Sequence, residues 1–211
     1  MAKERLKSPR ARLFVALDLP AEIREGLGEW QRAALAGQEA LRLARPETLH
    51  ITLAFLDWQP ERQIERIAEA ALGLEASAPV MSLRPEPVAV PRNRPRLFAI
   101  DAESEETVAL QARIERRLVE ARLYKPEKRP FWPHLTVARV RAEKPPPGQR
   151  RRRWAKPARL DFVPEALPEA LLGPFRGVRI TLYRSNLRPT GAEYEPLAQT
   201  ELPPEGGGKA S

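Results

Sequence analysis

The sequence predicts an α+β fold made of two similar lobes, each an antiparallel β-sheet flanked by helices. Short β-rich segments are interspersed with segments of helical periodicity, and several strand pairs lie close together in the chain, which favours antiparallel pairing. Two motifs also recur at one offset. The tripeptide Arg12-Leu-Phe14 returns as Arg96-Leu-Phe98, and His50 and His134 both stand in His-apolar-Thr-apolar-Ala segments, 84 residues apart. Shared order and shared offset indicate an internal duplication with pseudo-twofold symmetry.

The first half of the chain shows strand and helix patterns in alternation. The predicted elements are a strand over Leu13–Leu17, a helix over about 21–35, a strand from near Leu49 and a helix over about Glu61–Leu74. Prolines 85 and 87 make Val80–Val90 an edge strand or an irregular one, because proline cannot donate to a sheet ladder.

The second half repeats the order strand, helix, histidine strand. Its predicted elements are a strand ending at Ala99–Asp101, a helix over Val108–Ala121, a strand over His134–Val140, a loop over Lys144–Arg153, short strands over Ala158–Val163, Val178–Arg184 and Tyr194–Thr200, and a short helix over Ala166–Leu172. We expect one domain over residues 12–202, preceded by a basic extension over 1–11 and followed by a disordered tail over 203–211.

Composition narrows the class of protein. The chain has 36 basic and 28 acidic residues and a formal net charge of +8, so a polyanion is the expected partner. Cysteine is absent, which excludes disulfides, a thiol nucleophile and zinc-thiolate sites. The only apolar run near the N-terminus, Leu13–Leu17, is too short for a signal-peptide core or a membrane span. We therefore expect a monomeric cytoplasmic protein with no membrane partner.

Two histidines, each with a threonine two residues later, can form a catalytic site. Breaking a phosphodiester needs a base for the attacking oxygen and an acid for the leaving oxygen, and two imidazoles serve both needs near neutral pH. Thr52 and Thr136 share a strand face with His50 and His134, where a hydroxyl can donate to a phosphate oxygen. No Asp/Glu/His cluster with metal-ligand spacing surrounds either histidine, so we expect neither metal nor cofactor. A lone strand histidine is usually structural, but the repetition favours a site.

These motifs carry a family resemblance. His50-Ile-Thr52-Leu-Ala-Phe55 and His134-Leu-Thr136-Val-Ala-Arg139 resemble the paired His-x-Thr-x-x-Phe and His-x-Thr-x-x-Arg signatures of the RNA 2′,3′-cyclic phosphodiesterases. That family is a branch of the two-histidine phosphoesterases and is also called the 2′-5′ RNA ligases. Further support comes from the segments Arg12–Leu17, Arg45–His50, Arg129–His134 and Leu182–Leu187, and the resemblance covers roughly residues 12–202.

The resemblance implies a two-lobed fold with its active site in the cleft between the lobes. It implies metal-independent hydrolysis of a terminal 2′,3′-cyclic phosphate on RNA to a 2′-phosphate. His50 would then be the general acid that protonates the departing O3′, and His134 the general base for water. Arg139 would grip the phosphate as a planar, bidentate donor, and Phe55 would stack on the terminal base.

Strand alternation conflicts with two of these roles. It places His50, Thr52 and Ala54 on one face, which puts Phe55 on the opposite face, and Arg139 is at the equivalent position in the second motif. Both side chains can reach substrate only if each strand ends, twists or bulges after Ala54 and Ala138. Otherwise Phe55 is a core residue and Arg139 a surface ion-pair residue.

Several further residues are candidates for RNA contacts. Arg45, Arg129 and Tyr183 have side chains suited to a cleft rim, while the run Arg150, Arg151, Arg152, Arg153 with Trp154 either extends an RNA-binding surface or is a solvated loop. Other functions also remain open. The same acid and base can run reversible 2′-5′ RNA ligation if a 5′-hydroxyl replaces water. A basic RNA-binding protein without catalysis, or an enzyme acting on a small cyclic nucleotide or cyclic ADP-ribose phosphate, also fits the sequence.

Overall fold

The computed structural model describes residues 9–142, 157–158, 160, 162–188 and 191–204, which form ten strands and three α-helices. The strands are β1 (Arg10–Asp18), β2 (Leu41–Leu43), β3 (His50–Pro60), β4 (Val80–Leu83), β5 (Val88–Val90), β6 (Leu97–Glu103), β7 (His134–Val140), β8 (Phe175–Arg176), β9 (Arg179–Arg188) and β10 (Gly191–Glu201). The helices are α1 (Ala21–Ala34), α2 (Ile64–Leu72) and α3 (Glu105–Glu120).

All of these strands pair in the antiparallel sense. Their spatial order is β10-β9-β1-β3-β7-β6-β4-β8, with β2 also on β7 and β5 also on β6. Ile51 and Leu135 form the one described residue pair between β3 and β7, and this narrow junction divides the sheet into two halves. The predicted α+β class, with two antiparallel lobes and flanking helices, is confirmed.

The duplication is visible in the element boundaries. α1 begins at Ala21 and α3 at Glu105, while β3 begins at His50 and β7 at His134, so both pairs are 84 residues apart. The helices are exchanged between the halves: α3 packs on β3 and on α2, whereas α1 reaches β7 through a hydrogen bond from Gln31. Each histidine strand is therefore contacted by the helix of the other repeat.

Helix α3 shows why the local sequence folds as it does. The Ser104 side chain caps it by accepting a hydrogen bond from the Thr107 amide at 2.9 Å. Glu105 and Glu106 follow in the first turn, where carboxylates favour the positive end of the helix dipole. The helix buries one stripe, which includes Leu110, Ile114 and Leu118.

Three predicted elements differ from the structure. The strand expected over Ala158–Val163 is wrong: its described residues are irregular, and Phe162 packs its ring 5.9 Å from that of Phe98. The helix expected over Ala166–Leu172 is reduced to a 3₁₀ turn over Glu169–Leu171. Val80–Val90 is two short strands, β4 and β5, because its prolines interrupt the ladder.

The predicted N-terminal extension and C-terminal tail lie largely outside the described residues. β1 begins at Arg10, inside the expected extension over residues 1–11, and residues 1–8 and 205–211 lie outside the described residues. The run Arg150–Arg153 and Trp154 also lie outside them. The division into extension, domain and tail therefore stays a prediction. In the described ranges no helix is long and apolar enough to cross a membrane.

Candidate active site

A bulge in β3 returns Phe55 to the histidine face. His50 and Thr52 are half-buried on that face, and Leu53 is 2% exposed on the core side. The register with β1 then slips by one residue, so Ala54 also turns into the core, at 3% exposed. Phe55 comes back to the cleft side. The expectation that Ala54 shares a face with His50 is wrong for this reason.

The second histidine strand has the equivalent bulge. The pairing of β7 with β6 slips between Thr136 and Ala138, so Val137 and Ala138 are both fully buried and Arg139 returns to the face of His134. Strand alternation is thus interrupted in both histidine strands, at residues 53–54 and 137–138, as the predicted roles of Phe55 and Arg139 need. This interruption places Phe55 and Arg139 beside the histidines.

Gln31 holds the bulge of β7. The Val137 carbonyl at this bulge accepts from the Ala44 amide at 2.9 Å, which continues the β2–β7 pairing, and also from the Gln31 Nε2 group at 2.5 Å. Gln31 Nε2 also donates to the Ala44 carbonyl at 3.2 Å. The glutamine is 2% exposed, so it is a buried link between α1, the segment after β2, and the strand that carries Arg139.

A cleft with a volume of about 290 Å³ lies along this face. Seven of the predicted site residues line it: Arg45, His50, Thr52, Phe55, His134, Thr136 and Arg139. Tyr183 lines an adjoining cavity of about 210 Å³, which Arg45 and His50 share. Arg129 is exposed and lines neither cavity. Cleft residues that the sequence did not single out include Arg12, Phe14, Arg42, Ser185, Glu193 and Tyr194.

Both imidazoles are held by the same backbone contact. Nδ1 of His50 lies 2.7 Å from the Thr48 carbonyl oxygen, and Nδ1 of His134 lies 2.7 Å from the Trp132 carbonyl oxygen. A carbonyl oxygen only accepts, so Nδ1 carries the donated proton in each ring. Nε2 is then the nitrogen available to substrate. In His50 it also lies 3.2 Å from the Thr52 hydroxyl oxygen.

Aromatic rings fix the planes of both imidazoles. Phe14 stacks on His50 with ring centres 4.9 Å apart, and Tyr194 meets the same imidazole edge-on at 5.4 Å. Trp132 stacks on His134 at 4.1 Å and 16°, and its indole N–H donates to the Asp101 carboxylate. Hydrogen bond and stacking together leave each ring little freedom to rotate.

A carboxylate stands opposite each histidine on the neighbouring strand. Asp18 of β1 pairs with His50, and Asp101 of β6 pairs with His134. Asp18 is 6% exposed. It accepts hydrogen bonds from Arg179 at 2.9 Å, Thr181 at 2.8 Å and Tyr183 at 3.0 Å.

Burial lowers the pKa of His50. The bond to the Thr48 carbonyl and the charge of Asp18 oppose this shift, and Arg139 and His134 add to it. Burial, followed by the charge of Asp18, raises the pKa of Tyr183 to about 12. Burial therefore favours the neutral form of His50 in the free protein.

Four arginines give the cleft its positive charge: Arg12, Arg42, Arg45 and Arg139. Arg139 is exposed on the cleft face, but the partial loss of water around its guanidinium lowers its pKa; Tyr194 opposes this shift, and the charges of Arg42 and Arg12 add to it. Arg12 lies over the Phe55 ring at 4.6 Å and donates to Ser185 at 3.2 Å. Cationic and aromatic side chains thus lie side by side in the cleft wall.

Known proteins are similar to this chain in sequence. A family model described as the 2′-5′ RNA ligase superfamily matches residues 19–184. The chain belongs to this superfamily. A similar relative from Thermus thermophilus, named RNA 2′,3′-cyclic phosphodiesterase, is 30% identical over 206 residues, which cover 93% of this chain and 92% of the relative. A Methanocaldococcus jannaschii protein of the same name is 27% identical over 190 residues, 89% and 99% of the two chains.

A solved structure shows the same superfamily fold. It comes from Thermus thermophilus, with a TM-score of 0.71 and 27% identity over 92% of this chain and 99% of that one. In the described part of the chain, no group of three or more His, Cys, Asp or Glu side chains could hold a metal ion.

Proposed function

We propose that the protein hydrolyses 2′,3′-cyclic phosphate ends of RNA to 2′-phosphomonoesters. The observation that carries this proposal is the pair of imidazoles in one cleft, each with Nδ1–H on a backbone carbonyl and Nε2 available to substrate. Superfamily membership and relatives named RNA 2′,3′-cyclic phosphodiesterase support the same reaction. The substrate end must be a ribonucleotide, because the cyclic phosphate cannot form without a 2′-hydroxyl.

His134 would act as the general base and His50 as the general acid. Nε2 of His134 takes a proton from water as the water oxygen bonds to phosphorus. The bond between phosphorus and O3′ then breaks, and Nε2–H of His50 gives its proton to O3′. The phosphate stays on O2′. His134 has gained one proton and His50 has lost one.

Three side chains would stabilise the phosphate during attack. The Thr52 and Thr136 hydroxyls flank the histidines on the cleft face and can donate to the non-bridging oxygens. Arg139 reaches this face through the β7 bulge and supplies a bidentate cation. Phe55 would stack on the terminal base. In the structure the Arg12 guanidinium carbon lies 4.6 Å from the centre of the Phe55 ring.

The pKa of His50 implies proton uptake with the substrate. Burial lowers that pKa and so favours neutral His50 in the free protein, whereas a general acid needs its proton. An anionic phosphate beside the ring favours the cation and restores it. We expect binding of a phosphate anion at neutral pH to take up a proton, measured as a dependence of the binding heat on the ionisation enthalpy of the buffer. No such dependence would contradict the acid role of His50.

The reaction is tested with an oligoribonucleotide that ends in a 2′,3′-cyclic phosphate. We expect a 2′-phosphate product, unchanged activity with a chelator, and losses of about 10²–10⁴-fold for His50→Ala or His134→Ala. Arg62→Gln, on the exposed 3₁₀ turn before α2, is the control and keeps full activity. Full activity in His134→Ala refutes the proposal.

The roles of the two histidines are separated by the leaving group. A thiolate needs no acid, so a cyclic phosphate with sulfur in place of O3′ restores activity to His50→Ala and leaves His134→Ala inactive. Rescue of His134→Ala instead would reverse the assignment. If both RNA ends are supplied, joined product would identify 2′-5′ ligation, and bound but unaltered cyclic ends would identify an RNA-binding protein. The monomeric state and cytoplasmic location stay predictions from the sequence.

A further inference from the structure

Arg42 stands beside the proposed phosphate ligand on a neighbouring strand. β2 pairs with β7, and Arg42 is the direct partner of Arg139 in that ladder. Adjacent strands are about 4.8 Å apart, so the two side chains start close together. Both line the cleft.

The other cleft arginines already have partners. Arg12 donates to Ser185, lies 3.8 Å from the Asp57 carboxylate and covers the Phe55 ring. Arg45 lies 3.4 Å from the Glu47 carboxylate. Arg139 is assigned to the cyclic phosphate by the proposed function.

Arg42 has no acidic partner and no hydrogen bond among the residues that the structure describes. It is half-buried, and its charge adds to the lowering of the Arg139 pKa, of which loss of water around the guanidinium is the main cause. Gly191 flanks it without a side chain: a Cβ built there would lie 3.9 Å from Nη1. Two neighbouring guanidinium groups repel each other unless an anion lies between or beside them.

We propose that Arg42 binds the phosphate on O5′ of the terminal nucleotide, a second anion site next to that of the cyclic phosphate. In an RNA chain this group is the phosphodiester to the preceding nucleotide. It is one ribose away from the cyclic phosphate, and a planar guanidinium suits its two free oxygens. The inference rests on the proposed function. It makes RNA ends, and 5′-phosphorylated cyclic nucleotides, better substrates than cyclic nucleotides with a free 5′-hydroxyl.

The test compares a charged linkage with a neutral one of similar shape. The substrates are cyclic-phosphate dinucleotides whose linkage is a phosphodiester or a methylphosphonate, and cyclic mononucleotides with a 5′-phosphate or a 5′-hydroxyl. In the unmodified protein we expect kcat/KM to be at least about tenfold higher for the charged member of each pair, as for a charge-assisted hydrogen bond. Arg42→Gln should bring both ratios near one, and Arg42→Lys should give intermediate ratios.

A ratio within one protein does not depend on how much of a variant is folded. Arg62→Gln removes the same charge away from the cleft and should keep the ratios of the unmodified protein. A preference confined to the dinucleotide pair identifies the chain phosphodiester as the ligand, and one seen in both pairs identifies any 5′-phosphate. Equal ratios in Arg42→Gln and the unmodified protein overturn the inference. Failure to hydrolyse any cyclic phosphate overturns the proposed function instead.

Discussion

The Gln31→Leu variant tests whether the buried glutamine positions Arg139. Gln31 Nε2 donates to the carbonyl oxygens of Val137 and Ala44, at 2.5 and 3.2 Å. Leucine has similar volume but no donor, so both bonds are lost and the Ala44 carbonyl loses this donor. The β7 bulge then loses the contact that ties it to α1, and we expect Arg139 to move relative to the histidines.

The size of the effect follows from the bonds removed. Loss of two hydrogen bonds, together with a buried acceptor left without this donor, should lower the free energy of unfolding by about 3 kcal/mol. For a chain of this size that lowers the melting temperature by roughly 6–12 °C. A displacement near 1 Å at a group that grips the phosphate costs about tenfold to a hundredfold in kcat/KM. Thermal unfolding and hydrolysis of a cyclic-phosphate dinucleotide, assayed well below the melting temperature, measure the two effects.

Gln111→Leu is the matched control. Gln111 is 7% exposed and donates to Glu115 within α3, away from the cleft, so its loss should affect stability and leave kcat/KM as it was. In an Arg139→Ala background, Gln31→Leu should cause little further loss of activity, because the two changes act on one group. Full additivity in that background, or activity equal to that of Gln111→Leu, would refute the positioning role.

Three further predictions concern His50, Tyr183 and Phe55. Since burial lowers the pKa of His50 below 6.5, the unfolded chain binds more protons there, and stability falls as pH drops through that value. His50→Gln should flatten this dependence in denaturant unfolding between neutral pH and pH 5, and an unchanged slope would contradict it. Tyr183 has a raised pKa of about 12, so stability falls as pH rises from 10 towards 12, and Tyr183→Phe should remove that part of the loss. Phe55→Ala should raise KM for RNA by about 5- to 100-fold and lower kcat by less. Phe55→Trp keeps an aromatic ring and should not raise KM. Equal effects of Phe55→Ala on kcat and KM would argue against base stacking.

Periodicity and repetition predicted most of the fold. The 84-residue offset predicted the duplication, and the apolar stripe of α1, which depends on residues near in sequence, predicted that helix. The strand expected over Ala158–Val163 failed because β-branched and aromatic content alone cannot distinguish a strand from an irregular segment that packs Phe162 on the core.

The sequence predicted those parts of the candidate site that belong to a short contiguous motif. The sequence indicated the histidines, the threonines and the need for a break in each strand. It did not indicate Arg42, Phe14 or Tyr194, because their place in the cleft depends on long-range pairing of β2, β1 and β10. Gln31 was missed for the same reason, since its shorter hydrogen bond goes to the Val137 carbonyl, 106 residues away. Trp132 could have been predicted as a site residue, because it is an aromatic residue two positions before His134, where β7 begins.

The cleft is asymmetric because one strand has no counterpart. Phe55 and Arg139 are equivalent in the duplication, and equivalent bulges bring both to the cleft. Arg42 of β2 has Pro126 as its equivalent, and proline cannot donate to a ladder, so the second repeat forms no such strand. β2 pairs instead with β7 of the other half, which places Arg42 beside Arg139. The histidines thus follow the duplication, whereas β2, which the second repeat lacks, adds a second cation beside Arg139 in the same cleft.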